Sequence, residues 1–461
     1  MSDLTDDPEL GDDALFQKDA DVVYDELLSR IGEGNAQPRL APTRRVVELL
    51  GDPQRSYPII HITGTNGKTS TSRIVESILR AYDLRTGMLT SPHLVRVNER
   101  IMIDGEPISN EAFVANYRDI QPYLEIVDAE LIGSGELPLT FFEALTALAF
   151  ASFADAPVDV AVIEVGMGGE WDSTNVGDGV VAVFTPISLD HMSRLGNTVA
   201  EIARTKSGII KQLAAVVTAT QQPEALAELE RATELTESTI AVQGTAFALE
   251  SNTVAVGGQV ISVRGLAGTY NDLFLPLFGD HQAQNAAVAI AAVESFLGGG
   301  SQTLVGDVLA EGIATASSPG RMQVIGIEPT VIIDAAHNPD GALALAKGIA
   351  TYFTFDEVAV VIGVLADKDA PGIIGALATF ATRFDVVESS SERAVPVDEL
   401  AETVARLTSE DATFRHDSVS AGIEDAREWA STAPRRGVVI TGSITLVGDA
   451  LVLADGEGWK R

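Results

Sequence analysis

The chain has 461 residues, 46% of them hydrophobic, which is enough for two or three domains with separate cores. Its 66 Asp and Glu outnumber 31 Lys and Arg, and the resulting net charge of −35 argues against a nucleic-acid backbone or an anionic membrane as partner. The absence of cysteine excludes disulfides, thiolate metal sites and thiol catalysis; with no transmembrane-length apolar run and no secretory signal pattern at the start, a cytoplasmic enzyme is expected.

Residues 1–21 hold eight acids and one lysine and read as a disordered acidic tail. A first domain is expected over 22–316. Within it, 59–63 is an apolar strand, followed by Gly64-Thr65-Asn66-Gly67-Lys68-Thr69 and then by Ile74, Val75, Ile78, Leu79 and Tyr82 at helical spacing. Strand, glycine turn and helix in that order form a phosphate-binding loop: backbone N–H groups converge on a phosphate, Lys68 adds charge and Thr69 can reach a Mg²⁺. Only two residues separate the glycines, against four in the common pattern, so a tight turn that binds nothing stays open on the loop alone.

Residues 158–165 and 180–187 are apolar, β-branched runs interleaved with helical stretches such as 139–153, which predicts a parallel sheet covered on both faces. Thr198 and Glu201 form a capping box for a helix running into Lys206. Short alternating segments with glycine turns over 238–278 predict a β-rich insertion, and a helix follows over 282–297. Residues 317–321, beginning Ser317-Ser318-Pro319-Gly320, read as a hinge. Strands at 330–334, 357–364, 384–388 and 437–441 then predict a second domain over 322–461. The fold class is α/β: a P-loop-containing parallel-sheet ATPase domain with a β-rich insertion, plus a smaller doubly wound α/β domain.

Four polar clusters follow apolar strands, where open α/β sheets bind ligands. They are Ser91-Pro92-His93-Leu94 with Asn98-Glu99-Arg100; Glu164 with the glycines that follow it; Asp190-His191 followed by Lys206; and Asp334-Ala335-Ala336-His337-Asn338-Pro339. Read singly, each has an ordinary structural alternative. Glu164 could be a buried acid held by backbone donors, His191 a core histidine, Lys206 a solvated lysine, Asp172 a loop acid, Arg321 a linker charge and Asn338 a helix cap.

Together with TFFE at 140–143, GDHQAQN at 279–285, PGR at 319–321, ADKD at 366–369 and TGS at 441–443, these motifs resemble the ATP-dependent amide ligases of the muramoyl-peptide ligase superfamily. Within it the chain is most similar to the folylpolyglutamate synthase and bifunctional dihydrofolate synthase family, from residue 24 to the C-terminus. The resemblance implies that Thr69, Ser91, Glu164, His191 and Lys206 hold two Mg²⁺ ions, Lys206 as a carbamate. It implies that Gly64, Thr65, Asn66, Gly67, Lys68, Thr69, Asn285, Arg321, Asp334 and His337 bind ATP. Ser91, Pro92, His93, Thr140, Phe141, Phe142, Glu143, Asp172, His337 and Ser443 are implied to line the substrates, and Lys68, Asp172, His191, Lys206 and Arg321 to serve catalysis.

The implied reaction activates the carboxylate of dihydropteroate or a reduced folate as an acyl phosphate, which the amine of L-glutamate then displaces; a monomer is expected. Two departures from the family pattern stand out: Glu170 replaces a common Arg, and Thr205 and Ser207 flank Lys206 where Glu and Ala are usual. The alternatives are a muramoyl-peptide ligase, disfavoured by SPHL and TFFE, and a nucleotide-binding regulator that has lost ligase activity.

Overall fold

Eight strands build the sheet that carries the phosphate loop in the computed structural model, which describes residues 12–32 and 37–459. They are β1 (Ile59–Thr63), β2 (Thr86–Leu89), β3 (Ile101–Ile103), β4 (Glu106–Pro107), β5 (Val160–Glu164), β6 (Gly179–Phe184), β7 (Ala215–Thr218) and β8 (Thr239–Val242). Their order is β4-β3-β2-β5-β1-β6-β7-β8, antiparallel only where β3 pairs with β2 and β4. Every residue of β1 and β5 is buried, as the continuous aliphatic runs require of central parallel strands.

The expected helices are present as Lys68–Ala81, Phe141–Asp155 and Val199–Ser207, the last with the Thr198–Glu201 capping box. Part of the expected tail is a correction. Residues 12–21 enter two helices, Asp12–Leu15 and Gln17–Leu28, because Ala20, Val23 and Leu27 recur on one face and bury in the core while Asp19, Asp21 and Asp25 face solvent. Residues 1–11 lie outside the described residues.

The β-rich insertion is also narrower than expected. β8 belongs to the large sheet, paired parallel to β7, and only β9 (Ala248–Ala255), β10 (Gly258–Arg264) and β11 (Thr269–Leu275) form a separate three-stranded sheet. The fully buried carboxylate of Glu294, on the helix Asp280–Gly298, pins its last turn by accepting from the N–H groups of Leu266 and Ala267 and from the Tyr270 hydroxyl at 2.5–3.1 Å.

The chain divides into two compact units: Ser317–Arg461 joins Asn252–Ile261 and Phe274–Ala283 in one, and the remainder up to Ala316 forms the other. One division between the units falls at 316/317, and the second unit also takes in two stretches of the insertion region. The second unit holds β12 (Gln323–Gly326), β13 (Thr330–Asp334), β14 (Glu357–Ile362), β15 (Arg383–Val386), β16 (Thr413–Arg415) and β17 (Arg436–Thr441), in the order β12-β13-β17-β14-β15-β16. All pairings are parallel except β12 with β13. Near its β16 edge, Asp385, His416 and Asp425 cluster as metal ligands could, but Arg383 ion-pairs with both carboxylates and stacks 4.1 Å from the Phe414 ring centroid. That cation bridges both carboxylates, so the cluster is a structural ion network.

Candidate active site

The phosphate loop leaves the carboxyl end of β1, the strand lying between β5 and β6. Gly64 has φ +151, and a Cβ there would stand 1.9 Å from Thr185 Oγ1; Gly67 has φ +90, and a Cβ there would stand 2.7 Å from Asn285 Oδ1. Both positions therefore need glycine. The loop is fixed from outside, since Thr65 donates its N–H to Pro186 O at 2.9 Å and its hydroxyl exchanges hydrogen bonds with Ser188. The helix Lys68–Ala81 starts directly after Gly67, so its first-turn N–H groups and positive dipole end border the loop. Asn285, the residue expected near adenine, packs on Gly67.

The β2, β5, β1 and β6 neighbours bring three of the polar clusters to one edge. Ser91 follows the end of β2, Glu164 closes β5, and Asp190-His191 follow β6. Thr69 Oγ1 donates to Glu164 Oε1 at 2.9 Å, and Glu164 is 1% exposed. A hydroxyl and a buried carboxylate at that distance form a hard-oxygen donor pair that fits Mg²⁺. His191 sits at φ +49 on a loop where Asp190 accepts its N–H at 2.8 Å.

Lys206 is buried, contrary to the solvated-lysine alternative, and its Nζ donates to Gly64 O at 2.7 Å. Lys68 Nζ donates to the same carbonyl at 3.3 Å and to Thr65 O at 3.2 Å. Burial first, and then the nearby Lys68 charge, pull the Lys206 amine from 10.5 down to about 7, against the opposing pull of Asp190 and Asp172. Gly169 makes this approach possible, as a Cβ there would meet Lys206 O at 2.6 Å.

Asp172 caps the short turn Ser173–Val176: Oδ1 accepts from Thr174 N (3.0 Å) and Oγ1 (2.5 Å), and Oδ2 from Met167 N (2.8 Å). Burial raises its pKa, and those hydrogen bonds oppose the rise. Phe142 lies against the same loop, since a Cβ on Gly166 would be 2.7 Å from its ring and 3.2 Å from Asp172 Oδ2. Phe141 is instead a core residue, with the Arg100 guanidinium 5.2 Å from its ring centroid. Thr140 and Glu143 form the capping box of the helix Phe141–Asp155, and Glu143 also takes a bidentate pair from Arg39 at 2.9 Å. Their side chains are committed to structure, which weakens the substrate role expected of them. Glu170 has an exposed side chain, but its N–H donates to Thr205 O at 2.8 Å.

In the second unit, buried Asp334 accepts from Met322 N and Ala336 N at 2.8 Å; its pKa is raised by burial and lowered by Arg321. His337 Nδ1 lies 2.9 Å from Ala335 O. Asn338 and Ser443 cap the helices Pro339–Tyr352 and Ile444–Gly456.

Two arrangements carry no role in the sequence reading. Glu99 accepts three consecutive backbone N–H groups, of Leu94, Val95 and Arg96, at 2.7–2.9 Å, and so shapes the loop after Ser91 and Pro92. Arg100 Nε donates to His93 Nδ1 at 2.9 Å, and Tyr24 OH lies 3.4 Å from His93 Nε2. The SPHL and NERI motifs mark those positions but do not show that one organises the other. The second arrangement joins His61 to Asp172 through Thr174; a lone imidazole in an aliphatic strand was its only signal.

The Mur ligase middle domain model matches residues 62–293, and the Mur ligase, glutamate ligase domain model matches residues 320–444. The chain is 44% identical over 442 residues to the dihydrofolate synthase/folylpolyglutamate synthase of Mycobacterium tuberculosis, covering 91% of each chain, and 35% identical to that of Bacillus subtilis, covering 75% of this chain and 80% of the relative. Among solved structures, the Mycobacterium tuberculosis folylpolyglutamate synthase complexed with ADP superposes with a TM-score of 0.90 at 42% identity, covering 95% of this chain and 99% of the other. Escherichia coli FolC in complex with DHPP and ADP gives 0.81 at 28% identity, covering 95% and 98%. The chain belongs to the Mur ligase family, in its dihydrofolate synthase/folylpolyglutamate synthase branch.

Proposed function

We propose that this chain is an ATP-dependent ligase that joins the amino group of L-glutamate to a folate-type carboxylate, with dihydropteroate and reduced folates both serving as acceptors. The observation that carries the reading is the assembly at one sheet edge of the Lys68–Thr69 loop, buried Glu164 and buried Lys206 with its Nζ on Gly64 O. The loop N–H groups and Lys68 hold the outer phosphates while the acceptor carboxylate attacks the γ-phosphorus and ADP departs. The glutamate ammonium gives up a proton to solvent, the free amine attacks the carbonyl carbon of the acyl phosphate, phosphate leaves with the electrons of the broken C–O bond, and the new amide nitrogen sheds its second proton. Asp172 faces the incoming ammonium, and Phe142 packs beside the acceptor.

Thr69 and Glu164 would hold Mg²⁺, joined on the family resemblance by Ser91 and His191, and the ion would offset phosphate charge. Lys206 meets the chemical condition for carbamylation, an amine neutral near pH 7, and its carbamate would supply oxygen ligands to a second Mg²⁺. The roles of Arg321, Asp334, His337 and Ser443 rest on the resemblance alone.

The test incubates the purified chain with ATP, Mg²⁺ and glutamate plus either dihydropteroate or a reduced folate, and reads glutamyl products by mass. Products from both acceptors support the full reading, and product from reduced folate alone leaves the polyglutamate activity only. Glu170→Arg then decides whether that exposed acid faces the acceptor, in which case KM falls more for the more highly charged acceptor.

A further inference from the structure

His61 is the one polar ring in the aliphatic strand β1, and it is fully buried. Its Nε2 lies 2.9 Å from Thr174 Oγ1, which lies 2.5 Å from Asp172 Oδ1, while its Nδ1 meets no hydrogen-bond partner. Proton counting fixes the order of this chain. Thr174 has a single hydroxyl proton; given to Asp172, it leaves only lone pairs toward His61, so Nε2 must carry the imidazole proton. The opposite order would put a buried N–H on Nδ1 without an acceptor and would turn a hydroxyl lone pair toward the carboxylate unless Asp172 were protonated, costs that the observed order avoids.

We infer that His61 is a positioning residue for glutamate transfer: acting through the Thr174 hydroxyl, it holds the Asp172 carboxylate ionised and oriented for the incoming ammonium group. The inference rests on the place proposed above for Asp172. The surroundings agree. Burial, with the charge of Lys211 added, holds His61 neutral, its pKa lowered to about 3. Lys211 itself donates to Asn175 O at 2.9 Å and lies 3.7 Å from Asp178. Around Asp172 the N–H groups of Met167 and Thr174 add their bonds, and the buried Lys206 amine is a basic group that its charge acts on. Loss of the Thr174 hydroxyl bond would leave burial less opposed, and the carboxylate would take up a proton more readily.

The experiment compares the parent with His61→Leu, which removes the donor, His61→Gln, which restores an N–H near Nε2, and Thr174→Val. His61→Leu should lower kcat/KM for glutamate roughly 2- to 10-fold, the scale of one neutral hydrogen bond, with the KM values for ATP and folate unchanged. The acid limb of that pH profile should move up by about one unit. His61→Gln should recover most of the loss, and Thr174→Val, which removes the bond to the carboxylate itself, should lose at least as much as the Leu variant, with no further loss when His61→Leu is added to it. Equal losses for all three substrates, an unmoved pH profile, or a Gln variant as poor as Leu would overturn the inference.

A second readout needs no turnover. Histidine ¹⁵N shifts of the full chain, in which only six histidines need assignment, should show His61 as the neutral Nε2–H tautomer throughout about pH 5 to 8. An imidazolium or an Nδ1–H tautomer overturns the inference while leaving the proposed reaction standing. A parent that forms no glutamyl product overturns that reaction and, with it, the role of Asp172.

Discussion

Lys68 and Lys206 donate to one carbonyl, that of Gly64, so two amines share an acceptor and the charge of Lys68 disfavours that of Lys206. Lys68 is half-buried and packs no core, so Lys68→Ala should leave the melting temperature unchanged while lowering the ligation rate on the order of 10²–10³-fold. Activity within a few-fold of the parent would remove Lys68 from the mechanism. Lys206 makes a separate prediction about stability. Its folded pKa of about 7 lies below the ordinary 10.5, so between those values the unfolded chain binds a proton that the folded chain does not. Stability contributed by this group therefore rises with pH across that window and is lost as pH falls toward 7. Lys206→Met should flatten that rise in a series of thermal melts, and an unchanged slope would show that the amine is not desolvated. Lys206 was legible in the sequence by its place in the motif set, but its burial was not, because a lysine is solvated by default. His61 illustrates the converse: the residue is plain in the sequence, and only the fold reveals that Thr174 lies against it.

Among the elements, the helix Phe141–Asp155 separates motif from function most sharply. TFFE marks a family position, yet Thr140 and Glu143 close a capping box and Glu143 binds Arg39. Thr140→Ala should cost about 1–2 kcal/mol, the usual size of a lost cap, and lower the melting temperature with no change in the KM for folate. A raised folate KM at unchanged stability would return Thr140 to the substrate site. Glu99→Gln should do the reverse, since it weakens three N–H bonds that shape the loop after Ser91: the acceptor KM rises and the ATP KM does not. Equal changes in both would place the loop's effect elsewhere. The Thr198–Glu201 box and the buried strands β1 and β5 were legible because capping and burial are written in neighbouring residues. β12 and β16, at the edges of the second sheet, were not, because strands of three or four residues carry too little alternation to register. The acidic stretch before residue 22 misled for a related reason: composition dominated, while three apolar residues at helical spacing decided the structure.

For the whole molecule, a surface carrying a net charge of −35 repels anions, so phosphates and folate carboxylates must be gripped by local groups rather than by a general field. The edge formed by β2, β5, β1 and β6 supplies such groups in the loop N–H donors and Lys68. The parallel order of those strands follows from apolar runs visible in the sequence. The assignment of β8 to the large sheet did not, because its separation from β9 depends on which strand it pairs with. The central claim is glutamyl transfer coupled to ATP cleavage, and the most direct measurement is the mass of the product formed from a reduced folate, L-glutamate, ATP and Mg²⁺ with the purified chain. The account predicts a product heavier by one glutamyl residue, with one ADP and one phosphate released per bond, formed on the order of 10²–10³-fold more slowly with Lys68→Ala. ATP cleavage without a glutamyl product, or a product that Lys68→Ala forms within a few-fold of the parent rate, would contradict it.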